Sequence, residues 1–304
     1  MKTELAQALA QINRVVLGKE HQVRLCLACL LARGHLLIED TPGVGKTTLA
    51  HTLAVTLGLQ FHRIQFTSDL LPADLLGAAI YDRERGSFSF HPGPIFAQVI
   101  LADEINRASP KSQSALLEAM EEGRVTIEGE TRELPKPFFV IATQNPVEQA
   151  GVFPLPESQL DRFLMRIRLG YPDHAAERAL LRGENRRDLL AQLAPVLDPA
   201  GFIALQQAVQ SLHVSEALLD YVQALIDTTR RDLRFAGGLS PRAGLALLHA
   251  AQGWAYLDGR DFVQPEDIQA VLGPVVGHRL HPASGIEAAE PEWAAQVLME
   301  VAIP

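Results

Sequence analysis

The sequence has little of several features that would point to specialised classes of protein. Aromatic residues make up only 6% of the 304 residues, and no apolar run approaches the roughly 18 residues of a membrane span. The first 20 residues contain no apolar segment typical of a signal peptide. Basic residues number 27 against 36 acidic ones, and this net charge of −9 disfavours a surface that coats duplex nucleic acid. A hydrophobic fraction of 47% excludes a disordered chain. From the missing signal-peptide and membrane-span patterns we expect a soluble, cytoplasmic protein.

Cysteine is also scarce. The two cysteines, Cys26 and Cys29, form a C-x-x-C pair of the kind found in redox and zinc sites. A zinc site needs further ligands, and there is no second cysteine pair to supply them. The surrounding segment, VRLCLACLLARG, is apolar and predicts a helix with both thiols on one face. We therefore expect both cysteines to be buried core residues without a metal.

Strand-like and helix-like segments alternate through the first two-thirds of the chain. The strand candidates are residues 35–39, 61–65, 98–102, 138–142 and 165–169. Their nearly continuous apolar character is typical of strands buried on both faces, so the alternation predicts an α/β fold with a parallel, doubly wound sheet. Beyond about residue 171 only helices are indicated, with start signals at Asp198, Ser240 and Gln264. We expect an α/β core over 1–195 and an all-helical domain over 196–304.

Two insertions between the repeating units have the pattern of β-hairpins. One lies within residues 67–94 and contains YDRERGSFSF, and the other covers about 125–134 and turns at Glu128-Gly129. The charged turn of the first is net neutral, and the second is net acidic. Binding to phosphates requires clustered lysine and arginine, so we expect both hairpins to face protein rather than nucleic acid.

The strongest motif is DTPGVGKT, residues 40–47, between a strand and a helix. It matches the phosphate loop G-x-x-x-x-G-K-[ST] except that Asp40 stands where the first glycine is expected. Glycines at 43 and 45 allow the backbone N–H groups to face phosphate oxygens, Lys46 would reach the β- and γ-phosphates, and Thr47 would bind Mg²⁺. The predicted nucleotide-binding residues are Asp40, Pro42, Gly43, Val44, Gly45, Lys46, Thr47 and Thr48.

Two further strands end in polar residues that complete a hydrolytic site. VILADE places Asp103 near the Mg²⁺ ion and Glu104 beside the γ-phosphate, where it can act as general base for the attacking water. FFVIATQN ends in Asn145. If that strand lies between the phosphate-loop strand and the carboxylate strand, Asn145 can orient the lytic water.

Two arginines are candidates for contacts with phosphate. Arg162, in LPESQLDRF, fits either an arginine finger supplied to a neighbouring subunit or a surface salt bridge with Asp161 or Glu157. Arg242 falls in the first turn of a helix capped by Ser240, where it opposes the helix dipole. An anionic partner such as a phosphate best explains that position.

These motifs together resemble the MoxR family of AAA+ ATPases. The segments that carry the resemblance are IEDTPGVGKTTLA, PGPIFAQVILADEINRASPKSQSALLEAMEE, FFVIATQNPVEQAGVFPLPESQLDRFLMR and LSPRA. The resemblance implies a P-loop αβα core with a helical lid, and it implies ATP/ADP and Mg²⁺ as cofactors. It makes Asp103 and Glu104 the Walker B pair, Asn145 sensor 1, Arg162 the finger and Arg242 sensor 2. Arg107, Arg166 and Arg168 remain rival fingers.

The resemblance also implies how the chain works. It predicts ATP bound where core and lid meet, and a ring homo-oligomer, a hexamer. It predicts chaperone-like remodelling, assembly, activation or metal loading of a client protein complex that can carry a von Willebrand factor A domain. Two alternatives stay open. One is a DNA-translocating or helicase-type motor, and the other is a nucleotide-gated binding module with little hydrolysis.

Overall fold

The secondary structure is that of an α/β core followed by helices. A computed structural model describes residues 2–83, 86–146, 151–183, 186–284 and 292–303. The strands are β1 (Leu36–Glu39), β2 (Phe61–Gln65), β3 (Gly77–Asp82), β4 (Ser87–Pro92), β5 (Val99–Asp103), β6 (Arg124–Ile127), β7 (Glu130–Glu133), β8 (Phe139–Gln144) and β9 (Met165–Ile167). The helices are α1 (Lys2–Val15), α2 (Glu20–Leu31), α3 (Lys46–Thr56), α4 (Pro72–Leu76), α5 (Pro110–Glu122), α6 (Glu157–Leu160), α7 (His174–Arg182), α8 (Arg186–Ala191), α9 (Pro199–Gln210), α10 (Glu216–Arg231), α11 (Pro241–Leu257), α12 (Pro265–Val276) and α13 (Trp293–Leu298).

Five strands form one parallel sheet in the order β2-β5-β8-β1-β9. This confirms the predicted α/β class with a parallel sheet. Because all five strands run the same way, the residues that follow β1, β5 and β8 meet at one edge of the sheet. The order also places β8 between β1 and β5, which is the arrangement that the interpretation of Asn145 requires.

The central strands β5, β8 and β1 are buried on both faces, as their apolar sequences predict. The edge strand β2 differs from that prediction and is largely exposed, because its sequence FHRIQ is mostly polar. Leu36 and Ile38 of β1 pack into the larger core cluster with α1, α2, α3 and the carboxyl-terminal helices. Leu37, between them, faces the smaller cluster with α4 and α5. This alternation within one strand is the period-2 geometry of an extended backbone, applied to a sheet covered on both sides.

The carboxyl-terminal helices pack against the core along α2. Gly253 of α11 approaches α2 so closely that a Cβ there would lie 2.5 Å from the Ala28 carbonyl oxygen. The predicted helix starts are confirmed. Asp198 accepts a hydrogen bond from the Gly201 N–H at 2.6 Å, and Ser240 caps α11.

The two predicted hairpins are present. β3 pairs antiparallel with β4, and β6 pairs antiparallel with β7. Glu128 and Gly129 both have positive φ, at 51° and 84°, as a two-residue hairpin turn requires. The first hairpin exposes Tyr81 and Phe88, whose rings pack edge to face with their centroids 5.2 Å apart. Its charged residues 84–85 lie outside the described residues.

Both cysteines lie in α2 and are fully buried, which confirms that they are core residues. Burial raises the pKa of both thiols, so they stay protonated and unreactive. Within the described ranges, no group of three or more His, Cys, Asp or Glu side chains is arranged to hold a metal ion. Across the same residues, no helix combines the length and apolarity needed to cross a bilayer.

Candidate active site

The phosphate loop connects β1 to α3, and its backbone has the shape that the sequence predicts. Gly43 and Gly45 have φ angles of 86° and 96°, a region that residues with a Cβ rarely adopt. α3 begins at Lys46 directly after this turn, so its first N–H groups and the positive end of its dipole face the loop. The remaining residues of the predicted set, Pro42, Val44, Thr47 and Thr48, lie in the same turn or in the first turn of α3.

The Asp40 side chain is engaged with backbone groups of the chain. One carboxylate oxygen accepts the N–H groups of Leu169 and Gly170 at 2.8 and 2.6 Å. The other accepts the Thr41 N–H at 2.8 Å, and the Asp40 carbonyl oxygen accepts the Lys46 amine at 2.6 Å. Asp40 therefore connects the loop to the segment after β9, and its carboxylate shapes the loop.

One hydroxyl group contacts both acidic residues at the end of β5. Thr143 of β8 donates to Asp103 Oδ1 at 2.6 Å and accepts the Glu104 N–H at 2.9 Å. Glu104 has φ 56° and ψ 50°, a left-handed conformation that non-glycine residues adopt rarely and often at functional sites. The sequence interpretation missed Thr143. Its signal was a hydroxyl residue in an otherwise apolar strand.

The lysine of the loop lies close to these carboxylates. Burial lowers the pKa of Lys46, while the carboxylates of Asp40, Asp103 and Glu104 act in the opposite direction. The structure thus brings the phosphate loop and the carboxylate strand together as predicted. Asn145, which is 5% exposed, follows β8 at the same edge of the sheet.

Two side chains of β2, also missed from sequence, contact the carboxylates. Arg63 donates to Asp103 Oδ2 at 2.7 Å, and Gln65 donates to Glu104 Oε2 at 2.8 Å. Arg107 approaches the same oxygen of Glu104 at 3.2 Å. Arg63 and Gln65 are two residues apart, so they share one face of the strand. Two polar residues at that spacing in a strand were the available signal.

The donor set fits a magnesium ion. Mg²⁺ prefers carboxylate and hydroxyl oxygens, and Asp103 and Thr47 present these at the same edge of the sheet. A cationic group, the Arg63 guanidinium, already contacts the Asp103 carboxylate, so positive charge is favourable at that position.

The two predicted phosphate-contacting arginines form a cluster with three other charged side chains. Arg162 and Arg242 contact the two oxygens of Glu121 at 2.9 and 3.0 Å. Asp161 lies 4.0 Å from Arg242 and is held by Arg279 at 2.7 Å. The anionic partners of Arg242 in this chain are therefore carboxylates of the core. The two arginines therefore lie together, on either side of Glu121.

This arginine cluster (Arg162, Arg242, Arg279, Glu121 and Asp161) is remote from the chain's own phosphate loop. It borders a cavity of about 340 Å³ that Arg33 and His35 also line, and these residues precede β1. The phosphate loop follows β1, whose four residues span about 13 Å. Arg162 and Arg242 thus lie toward the amino-terminal ends of the strands, whereas the phosphate loop lies at the carboxyl-terminal ends. The rival fingers Arg166 and Arg168 both pair with Glu39 at 3.4 Å.

This geometry defines a class: a phosphate-loop ATPase core of the AAA+ type with a helical lid. In agreement, a family model described as "ATPase family associated with various cellular activities" matches residues 35–165, and the AAA lid domain model matches 227–298. Chaperone MoxR1 of Mycobacterium tuberculosis is 40% identical over 99% of this chain and 82% of that protein. The uncharacterised protein YeaC of Bacillus subtilis is 47% identical over 97% of this chain and 93% of that one.

A solved structure agrees with the same assignment. The crystal structure of a protein from Cytophaga hutchinsonii superposes with a TM-score of 0.89 at 36% identity, covering 99% of this chain and 94% of that one. The chain belongs to the MoxR family of AAA+ ATPases.

Proposed function

We propose that this protein hydrolyses ATP with Mg²⁺ in the cytoplasm and uses the cycle for chaperone-like remodelling, assembly, activation or metal loading of a protein complex. The observation that carries the proposal is the convergence of Lys46, Asp103 and Glu104 at one edge of the sheet. Phosphoryl transfer to water uses a cation that contacts the phosphates, a carboxylate that binds the metal and a second carboxylate beside them.

Each residue has a role in this proposal. Lys46 and the loop N–H groups bind the phosphates, and Thr47 and Asp103 hold Mg²⁺, which neutralises charge on the phosphate oxygens when bound. Glu104 accepts a proton from the attacking water. Asn145 orients that water. The proposed division lies at residue 195, with the core before it and the lid after it.

The arginines act between subunits in this proposal. Arg162 and Arg242 pair with Glu121 and lie away from their own phosphate loop, which favours their supply to the ATP of a neighbour. A contact between the phosphate-loop end of one copy and the arginine cluster of the next is heterologous, and such contacts close into a ring when the rotation between copies permits. The proposed assembly is a hexamer.

The proposed client is a protein. The relative MoxR1 is named a chaperone. Tyr81 and Phe88 expose aromatic surface on the first hairpin, and exposed apolar surface of this kind suits protein contacts. A von Willebrand factor A domain is one candidate client. A DNA-translocating motor is disfavoured by the acidic second hairpin, in which Glu128, Glu130 and Glu133 outnumber Arg132.

The test replaces Glu104 with glutamine. Glu104→Gln keeps the shape of the side chain but removes the base, so ATP turnover falls by about 10²-fold or more while ATP still binds. Lys46→Ala is the matched control, because loss of the cation weakens nucleotide binding itself. Steady-state ATPase assays and calorimetry measure the two effects.

Each outcome separates the candidate functions. Unchanged turnover in Glu104→Gln would reject Glu104 as the base, and unchanged ATP affinity in Lys46→Ala would reject the phosphate loop. Tight ATP binding without turnover in the unmodified protein would favour the nucleotide-gated binding module. Stimulation of turnover by DNA would favour the motor.

A further inference from the structure

Arg63 forms a two-nitrogen contact with the carboxylate that the proposed function assigns to the metal. Its Nη2 lies 2.7 Å and its Nε 3.1 Å from the same oxygen, Oδ2 of Asp103. The other oxygen, Oδ1, accepts the Thr143 hydroxyl. Both oxygens of Asp103 therefore have protein partners, one of them a full positive charge.

The contact with Arg63 compensates the negative charge of a nearly buried carboxylate. Asp103 is only 8% exposed and is followed directly by a second carboxylate, Glu104. An ionised carboxylate with so little contact with water is costly unless a cation or hydrogen bonds compensate it. Arg63 supplies that compensation at close range, and the Lys46 amine contributes from the phosphate loop.

A divalent cation bound to the Asp103 carboxylate would meet this guanidinium. Two positive charges drawn to one carboxylate repel each other at separations of a few ångströms. The guanidinium cannot lose its proton to relieve the repulsion. The divalent cation and the guanidinium therefore compete for the Asp103 carboxylate.

Arg63 is able to withdraw. Its side chain is 48% exposed, and β2 is an edge strand of the sheet, so the guanidinium can move toward solvent without rearranging the core. Its remaining contact, to the Gln65 amide oxygen at 3.0 Å, is also exposed. Solvent can replace this contact at little cost.

We infer that Arg63 is a resident counter-ion of Asp103, which competes with the divalent cation for this carboxylate and is displaced when the cation binds. The inference rests on the proposed function, since it takes Asp103 as a metal ligand. It goes further by adding a residue that sets how much Mg²⁺ the site requires. Arg63 compensates the charge of the Asp103 carboxylate before Mg²⁺ binds, and it raises the concentration of Mg²⁺ needed to occupy the site.

The experiment measures the Mg²⁺ requirement of nucleotide binding, not turnover. A fluorescent ADP analogue is titrated onto the protein over a range of Mg²⁺ concentrations. In Arg63→Met, which keeps the aliphatic stem and removes the charge, half-saturating Mg²⁺ falls about three- to tenfold, the scale of the net contribution of one ordinary hydrogen bond, because Arg63 is half exposed. Arg63→Lys, which keeps the charge but loses the two-nitrogen contact, gives an intermediate shift.

A matched substitution controls for a general loss of positive charge. Arg231→Met removes an arginine whose side chain is 82% exposed and whose partner Asp227 is remote from the site, so the Mg²⁺ requirement stays at the wild-type value. Thermal melting adds a second readout. Without Mg²⁺, Arg63→Met melts below the wild-type protein because Asp103 has lost its counter-ion, and Mg²⁺ with ADP narrows the difference.

The results that overturn the inference are distinct from failure of the proposed function. An unchanged or increased Mg²⁺ requirement in Arg63→Met would show that the guanidinium does not compete with the metal. Wild-type protein that binds the ADP analogue with no dependence on Mg²⁺ would overturn both the inference and the assignment of Asp103 as a metal ligand.

Discussion

Asp40 occupies the position where the phosphate-loop motif has its first glycine, and its side chain makes contacts that glycine cannot make. Its carboxylate accepts two N–H groups at the end of β9, from Leu169 and Gly170. A buried carboxylate that accepts backbone N–H groups fixes the segments that carry them. The departure from the motif thus adds a link between the loop and the last core strand.

A second residue, His35, makes the stability of the fold depend on pH. Its Nδ1 accepts the Val140 N–H at 3.0 Å, and its Nε2 lies 3.1 Å from the Met120 carbonyl oxygen, to which it donates. This arrangement requires the neutral ring. Desolvation lowers the pKa of His35 to about 4, despite the opposing hydrogen bond to Met120.

We predict that His35 lowers the stability of the protein in mild acid. Between pH 6.5 and about 4, His35 is protonated in the unfolded chain but neutral in the folded protein. The free energy of unfolding therefore falls as pH falls through that window. The loss between pH 7.5 and 5 is about 1–2 kcal/mol from this residue. Urea unfolding at the two pH values measures it.

The control is His35→Gln, in which the same loss is smaller because glutamine does not titrate. His278, another buried histidine with a lowered pKa, contributes equally to both proteins and cancels in the difference. Equal pH dependence of the two proteins would contradict the assignment to His35.

At the scale of elements, the loop between α6 and β9 is held by the lid. Arg279, which follows α12, donates to the Asp161 carboxylate at 2.7 Å and to the Phe163 carbonyl oxygen at 2.7 Å. Further bonds reach the carbonyl oxygens of Asp161 and Leu164 at 3.1 and 3.3 Å. Because Arg162 lies within this loop, the lid determines where the proposed finger is held.

We predict that Arg279→Met destabilises the protein strongly. The Arg279 side chain is 6% exposed. Its removal takes the close cationic partner from the Asp161 carboxylate and the hydrogen bonds that Arg279 donates to three carbonyl oxygens of the loop. The expected loss is about 3 kcal/mol in the free energy of unfolding, the scale for breaking a buried ion pair from one side. Urea denaturation measures the loss.

Arg234→Met is the matched control at the surface. Arg234 also makes several contacts with carboxylates, those of Asp232 and Glu300, but water screens them. Its replacement should leave the unfolding midpoint nearly unchanged. Similar effects of the two substitutions would show that the contacts of Arg279 do not hold the loop.

At the scale of the whole molecule, the phosphate loop and the arginine cluster lie toward opposite edges of one sheet. Neither edge by itself contains all the groups that the proposed reaction uses. A head-to-tail contact with a second copy would complete the site, which makes activity a property of the assembly.

We predict that two inactive chains restore activity when mixed. Arg162→Ala lacks the finger and Lys46→Ala lacks the phosphate contact, but a mixed ring contains interfaces with an intact loop facing an intact finger. ATPase assays of the mixture measure the recovery. Specific activity of the unmodified protein should also rise with concentration as the ring forms.

The control is proof that the two variants assemble together, by size-exclusion chromatography with one chain tagged. A mixture that co-assembles and stays inactive would remove Arg162 as a finger acting between subunits. Arg107, Arg166 or Arg168 would then be the better candidate, although each now pairs with a carboxylate near its own phosphate loop.

Local patterns in the sequence determined much of the fold and part of the candidate site. Some features were predictable because each depends on a few consecutive residues. These are the phosphate loop, the carboxylates at the end of β5 and the helix caps. A turn glycine, an apolar strand or an N-cap acts through its immediate neighbours in the chain. The family resemblance followed from the order of those same local motifs.

Only the tertiary structure decided which distant side chains meet. Thr143 and Arg63 reach Asp103 because β8 and β2 lie on either side of β5, an order that no local pattern encodes. The position of Arg242 against Glu121 depends likewise on how the lid packs on the core. Burial of apolar faces selects these arrangements, and it depends on the whole set of faces rather than on any one segment.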